Sequence, residues 1–573
     1  MKLSENALAI IRSRYFIDEN EDWQKLAIRV GSEAARFENG KSGEYRDKFA
    51  EIIFEGDFLA GGRILRNMGR PRGSLFNCYV LPVGDSRKEI GQWLCDSLIL
   101  WGEGGGVGCN LSFLRPRGAP IKGVGGESSG PVSFLEASDA VAKTVESGGS
   151  RRAAALGTMI VTHPDIMEFI DAKITHGKLP HYNISVAVTE DFLEAVEKNV
   201  DWEFKFAQQS FGTTKARDIW DKVVSNMVKY AEPGLLNWDN LRSNNSYYFD
   251  PILSTNPCGE VPLSAYGVCC LGSLVLPNFI TGSVNTNWKK LEQTIKLAVR
   301  FLDNIIDVNK YTLQEVDVSA HNSRRVGLGV MGLAEYLFAK KLRYGSKKAI
   351  DEVENLMKFI RNVTYESSIE LAAEKGAFPK FDSVQFGKAH FIRSLPAALR
   401  MSIKDKGIRN VTLMAMAPTG TISLIPEVSS GIEPIFAKAY MRNDRVSDRM
   451  YIHPFYKQII TSGEETPDWF VDSFDLKPAD HFETQAIVQK YTDGAVSKTI
   501  NMPKGTTSED LSKLTLEYIR DLKGVTVYVD GSREGQILNT VSDAEVRAYI
   551  KSGTDSAGAD EASVRCSSGT CEL

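Results

Sequence analysis

Long apolar runs are missing from this chain. Its opening, Met1-Lys-Leu-Ser-Glu-Asn, has no apolar core of the secretory kind, and no stretch approaches the roughly 20 apolar residues that span a bilayer. Export and a membrane partner are therefore not expected. Charge of one sign is missing too: 68 Lys and Arg stand against 73 Asp and Glu, a net −5. That balance argues against a wide nucleic-acid groove while allowing a local basic pocket for phosphates. Internal repeats are absent, as is any long low-complexity linker before the C-terminal tail. Metal-ligand spacing is poor. The pairs Cys566/Cys571 and His176/His181 lie far apart, and Gly177 with Pro180 makes the histidine segment a plain turn, so no metal site is expected. Eight cysteines without a secretory leader point to a reducing compartment, the cytoplasm, and to functional thiols.

What is present suits a large globular enzyme, with 43% hydrophobic and 25% charged residues over 573 positions. That length holds several domains or one large α/β barrel. Residues 1–60 carry helical periodicity with polar faces and form a helical N-terminal region. Residues 61–550 alternate short strand-like and helical runs, which implies a parallel-strand α/β architecture. Within them, 160–162 and 184–188 read as strands, and 164–172, 291–309 and 349–375 as helices. Residues 551–573, rich in Gly, Ser, Ala and Asp at their start, form a flexible tail.

Two cysteine motifs carry the most chemistry. The tail ends Cys566-Ser-Ser-Gly-Thr-Cys571-Glu-Leu, a thiol pair on a tether, which makes it a reducing arm. In mid-chain stands Asn256-Pro-Cys258-Gly-Glu260. Read as extended chain, it projects Asn256, Cys258 and Glu260 to one side, a thiol between an amide and a carboxylate, suited to a polar hydroxylated substrate. Together they suggest a redox enzyme whose buried thiols are recharged by its own C-terminus. The other cysteines are bland alone: Cys95 reads as a buried small hydrophobe, Cys109 as packing, Cys78 and Cys269 as members of short core strands. Two glycine-bearing loops complete the set. Gly102-Glu-Gly-Gly-Gly-Val-Gly108 lacks the context of a dinucleotide fingerprint and reads equally as a tight backbone-packing loop. Pro418-Thr-Gly-Thr-Ile-Ser423, after the apolar strand-like run 411–417, presents small residues to phosphate or serves as a structural turn.

These motifs, with Tyr266-Gly-Val-Cys269, Gly148-Gly-Ser-Arg-Arg152 and Ser429-Ser-Gly-Ile-Glu-Pro434, resemble the catalytic chain of ribonucleotide reductases over essentially the whole length. The run Gly524-Val-Thr-Val-Tyr-Val-Asp-Gly-Ser-Arg533 is most similar to the adenosylcobalamin-dependent (class II) branch. The resemblance implies a ten-stranded α/β barrel of two parallel five-stranded halves around a central finger loop, and reduction of ribonucleotides to deoxyribonucleotides for DNA synthesis. It makes Cys258 the thiyl-radical cysteine, Glu260 the base on the 3′-hydroxyl and Asn256 the orienting amide. Cys78 and Cys269 become the pair that ends as a disulfide; Cys270, where related enzymes often carry asparagine, is the competing partner. Cys566 and Cys571 reopen that disulfide and are recharged by a thioredoxin- or glutaredoxin-like protein. A tether of about 20 residues spans roughly 25 Å, enough for the shuttle.

The resemblance also assigns Pro418, Thr419, Gly420, Thr421 and Ile422 to substrate phosphates, with Asn77 and Gly106 nearby. Asp85 matches the acidic residue meeting a deoxynucleotide or ATP effector, Arg115 and Lys122 are placed at its phosphates, and residues 147–157 match the loop relaying effector identity; a loop ion pair is the simpler reading of Asp85 and Arg115. A homodimer is expected, and the family's N-terminal ATP cone and its overall on/off control are expected to be missing. Three other readings compete. A class I chain takes its radical from a separate iron or manganese subunit through adjacent tyrosines, but here Val529 follows Tyr528. The glycyl-radical branch needs a C-terminal glycine motif that is not seen. A nucleotide-binding regulator of the same fold without catalysis has no use for five thiols at matching places.

Overall fold

The computed structural model describes every residue except 2, 122–124, 148–150, 176, 283, 444–447, 531, 533–537 and 553–573. Five strands, Cys78–Leu81, Gly106–Asn110, Ala154–Ile160, Tyr182–Val188 and Gly234–Asn237, pair in parallel and in chain order. Parallel neighbours need crossovers, supplied here by helices such as Arg87–Gly102 and Pro131–Lys143. Their apolar content follows: Cys78–Leu81 and Gly106–Asn110 are buried at every position. At one edge Gly234–Asn237 meets Gly524–Val529 antiparallel, and the latter runs parallel to Thr499–Met502. At the other edge Val268–Cys269 pairs antiparallel with Cys78–Leu81, completing an eight-stranded mixed sheet. A three-stranded sheet joins Phe58–Ala60, Leu271–Val275 and Gly327–Met331. Only Cys270 separates the two sheets along the chain.

The apolar run 411–417 is not a regular strand; its ladder contacts are the isolated parallel bridges Leu328 to Met414 and Met416 to Val496. The reason is a competing acceptor. The Asp493 carboxylate takes the amides of Leu413 and Met414 at 2.8 Å each, so a neighbouring strand cannot. Of the predicted helices, 164–172 shortens to Ile166–Ile170, while those at 291–309 and 349–375 are present and start earlier than their apolar periodicity suggests. Trp288–Val308 is capped by the side chain of Asn287 and Lys347–Lys375 by that of Ser346. Cys95 corrects the sequence expectation: it is exposed, because Arg87–Gly102 turns Trp93, Asp96, Ser97, Leu100 and Trp101 inward and leaves Cys95 on the other face. Cys109 is buried, its thiol donating to the Leu156 carbonyl at 3.5 Å. No helix among the described residues is long and apolar enough to cross a membrane.

Trp288–Val308 also carries a buried carboxylate into the core. Asp303 accepts from Arg324 at 2.8 Å, Arg409 at 3.1 Å and Asn410 at 2.9 Å. Such a group is tolerated only with its partners. Arg324→Met is expected to lower unfolding free energy by about 3 kcal/mol, read as a shifted urea midpoint at unchanged slope.

Candidate active site

Strands Ser254–Thr255 and Pro262–Leu263 form a hairpin whose tip is Asn256-Pro-Cys-Gly-Glu-Val261. The tip is a turn, which corrects the extended reading of this motif. Asn256 closes it: its amide donates to the Val261 carbonyl at 3.2 Å, and its Oδ1 accepts from the Val261 amide at 3.0 Å. Gly259 sits at φ +83°, the left-handed region glycine occupies without steric cost. The hairpin is gripped from several sides. Asn110 Nδ2 donates to the Leu253 carbonyl at 2.8 Å, Arg325 Nη1 to that of Pro262 at 3.0 Å, and the Ala495 amide to that of Glu260 at 2.7 Å. At Gly108 the Thr255 carbonyl lies only 2.0 Å from where a Cβ would stand, so part of the glycine run exists to let the finger in.

Asn256 and Glu260 are fully buried and Cys258 is 8% exposed. Asn256 Nδ2 donates to Cys78 Sγ at 3.2 Å. Cys78 is the direct cross-strand partner of Cys269, which places their Cβ atoms roughly 4.5–5.5 Å apart, close enough to bridge with a small adjustment. Cys78, Cys258 and Cys269 share one apolar cluster with Val80, Val261, Leu263, Leu271, Ala415 and Ala417. Cys270 belongs to the other side: its thiol donates to the Leu302 carbonyl at 3.5 Å, and it packs in the main core. Burial pushes the Cys269 thiol well above its ordinary pKa, and the neighbouring Cys78 and Glu260 push it further. Cys269 is therefore held protonated.

Asn77 and Gly106 adjoin the thiols. The Gly106 amide donates to the Asn77 carbonyl at 2.6 Å, and Gly106 is in register with Cys78. Asn77 Oδ1 is buried and takes no hydrogen bond among the described residues. From Ala417 the chain enters Pro418, Thr419, Gly420, Thr421 and Ile422. Thr419 is fixed by its amide to Ser430 Oγ and by its hydroxyl from the Gly431 amide, both at 2.9 Å. Gly420 faces open space, with nothing within 4 Å of a would-be Cβ. Asp85 and Arg115 pair with each other: the Arg115 guanidinium meets the carboxylate at 2.9 Å and its amide donates at 3.0 Å. Lys122, Cys566 and Cys571 lie outside the described residues.

A cavity of about 60 Å³ touches the fingertip, lined by Asn183, Gly234, Pro257, Cys258, Gly259 and Lys498. Sequence reasoning missed Asn183, Arg325 and Ala495, which hold the finger through backbone carbonyls and leave no motif of their own.

The ribonucleotide reductase barrel-domain family model matches residues 76–528. The vitamin B12-dependent ribonucleoside-diphosphate reductase of Mycobacterium tuberculosis is 35% identical over 95% of this chain and 81% of its own length. The protein of that name from Thermoplasma acidophilum is 36% identical over 88% and 68%. The ribonucleoside-diphosphate reductase large chain of Schizosaccharomyces pombe is 27% identical over 70% and 54%. With its finger hairpin, its buried thiols and a family match over most of its length, this chain belongs to the ribonucleotide reductase barrel-domain family.

Proposed function

We propose that this chain reduces ribonucleoside diphosphates to 2′-deoxyribonucleotides by thiyl-radical chemistry, with adenosylcobalamin as its radical source. The observation that carries the reading is the convergence of Cys78, Cys258 and Cys269 in one buried apolar cluster, with Asn256 bonded to Cys78. In it Cys258, at the fingertip, abstracts the 3′ hydrogen of the ribose. Glu260 takes the 3′-hydroxyl proton, and Asn256 and Asn77 orient the substrate, the latter with its unengaged Oδ1. The Cys78 and Cys269 thiols deliver a proton to the departing 2′-hydroxyl and two electrons to the sugar, and close into a disulfide. Cys269, held protonated by burial, is suited to the proton-donating part. Cys566 and Cys571 then reduce that disulfide by exchange, and a thioredoxin-like protein reduces them in turn. Gly420, with open space before it, leads the approach of substrate phosphates. Asp85 and Arg115 are offered as part of an effector site, and the assembly as a homodimer.

The fold reading extends the same way. The five parallel strands, the antiparallel junctions at both edges and the bridges through Met414 and Met416 trace a path that returns to Cys78. That path supports a ten-stranded barrel of two five-stranded halves closed around the finger.

The fingertip suits adenosylcobalamin at its reactive end. Cys258 borders a cavity, and Gly259 beside it has nothing within 4 Å of a would-be Cβ. Pro257, Gly259 and Asn183 would hold that end. When bound, the cofactor supplies a radical by homolysis of its cobalt–carbon bond. The purified chain, given a ribonucleoside diphosphate, a dithiol and adenosylcobalamin without oxygen, is expected to form deoxyribonucleotide with no second subunit. Activity that ignores cobalamin and appears on adding a diiron or dimanganese protein would overturn the reading.

A further inference from the structure

Far along the chain from the finger, Asp493-Gly494-Ala495 lies against it at backbone level. The Ala495 amide donates to the Glu260 carbonyl at 2.7 Å, and the Gly494 amide to the Met414 carbonyl at 3.0 Å. The Met416 amide returns a bond to the Ala495 carbonyl at 3.1 Å. Gly494 is wedged between the two segments it joins: a Cβ there would lie 2.4 Å from the Met414 carbonyl oxygen and 3.2 Å from that of Glu260. Only glycine fits so close an approach.

The tripeptide is braced by two buried charges. The Asp493 carboxylate receives four hydrogen bonds, from the amides of Leu413, Met414 and Gly494 and from the Tyr365 hydroxyl, each at 2.8 Å. Lys523, fully buried, donates to the carbonyls of Asn244 at 2.6 Å, Asp493 at 2.7 Å and Gly494 at 2.8 Å. Asn244 stands in the segment that leads into the finger hairpin. Burying an ammonium against neutral carbonyls carries a desolvation cost that hydrophobic packing would avoid. What the arrangement provides is geometry. One end of the brace holds the backbone of Glu260. The other holds residues 413–416, which run directly into 418–422.

We infer that Asp493-Gly494-Ala495, locked by Lys523, is a positioning unit that sets where Glu260 stands relative to the 418–422 loop. The inference rests on the proposed roles of Glu260 as base and of that loop as phosphate site. A substrate anchored by its phosphates presents its 3′-hydroxyl at a fixed reach, so the base must be held at a matching distance. The Asn256 and Val261 bonds close the tip that carries both Cys258 and Glu260, and the Ala495 bond is the one that falls on Glu260 itself.

The test is Gly494→Ala in the full chain. The expected result is a kcat reduced about 100-fold, the size of penalty that a displacement near 1 Å inflicts. KM for the ribonucleoside diphosphate should stay within about threefold, because displacement of the base removes an interaction made only in the transition state. Two readouts separate positioning from general damage. Calorimetric binding of the ribonucleoside diphosphate without cofactor should be unchanged, and the cobalt(II) absorbance that reports radical transfer to Cys258 should reach the wild-type level. If Gly494→Ala does not fold, Lys523→Met, which removes the three carbonyl bonds at similar volume, carries the same expectation with kcat down about tenfold. An unchanged kcat, a raised KM at constant kcat, or joint loss of nucleotide binding and the cobalt(II) signal would each overturn the inference. A wild-type chain that makes no deoxyribonucleotide with adenosylcobalamin would instead overturn the proposed function.

Discussion

Cys258→Ser is expected to eliminate deoxyribonucleotide formation while the chain stays folded and binds nucleotide. The replacement is nearly isosteric, and it introduces one hydroxyl at a site that is 8% exposed, at a stability cost of about 1–2 kcal/mol. Chemistry makes the difference. The O–H bond is too strong for a seryl oxygen to serve as the reversible radical carrier, whereas a thiol sulfur does so readily. Thermal melting and nucleotide titration establish that the variant is intact, and product analysis over many hours establishes its activity. Measurable turnover by this variant would remove Cys258 from its role.

The second large effect separates the barrel thiols from those of the tail. Cys78→Ser and Cys269→Ser should fail in multiple turnover with every reductant, since each deletes half of the proposed electron source. Cys270→Ser should keep most of its activity, because Cys270 donates to the Leu302 carbonyl and packs away from the Cys78 cluster. Placing a serine hydroxyl at this buried core position costs about 1 kcal/mol of stability. Cys566→Ser and Cys571→Ser should lose turnover driven by thioredoxin but retain much of it with a small dithiol that diffuses to the buried pair. Steady-state assays with the two reductants check all five variants. A dead Cys270→Ser beside an active Cys269→Ser would reverse the choice of partner.

The chemistry proposed for this site was suggested by the short motif Asn256-Pro-Cys-Gly-Glu260 and the tail pair Cys566/Cys571. Cys78 and Cys269 read locally as plain core strands and came in only through the family resemblance. The arrangement was less legible. The motif at 256–260 reads as extended chain, yet it is a turn closed by Asn256 onto Val261, and no periodicity distinguishes the two over five residues. The run 184–188 falls inside the strand Tyr182–Val188, whereas 160–162 only touches the end of Ala154–Ile160. Residues 411–417, equally apolar, are not a regular strand, because the amides of Leu413 and Met414 go to Asp493 from far along the chain. Cys95 looked buried because its neighbours are apolar, and helical phase decided otherwise. The glycines at 108 and 494 answer to carbonyls of segments distant in sequence. Side-chain identity announces what reacts, whereas backbone approach, which decides where it reacts, leaves little trace in one sequence.

The most direct test of the account is a single turnover without external reductant, using the chain carrying both Cys566→Ser and Cys571→Ser so that the tail cannot scramble the result. After one equivalent of deoxyribonucleotide has formed, peptide mapping under alkylating conditions should recover a disulfide between Cys78 and Cys269, with Cys270 alkylated. Product formed while Cys78 and Cys269 both remain alkylatable thiols, or a crosslink that runs through Cys270, would contradict it.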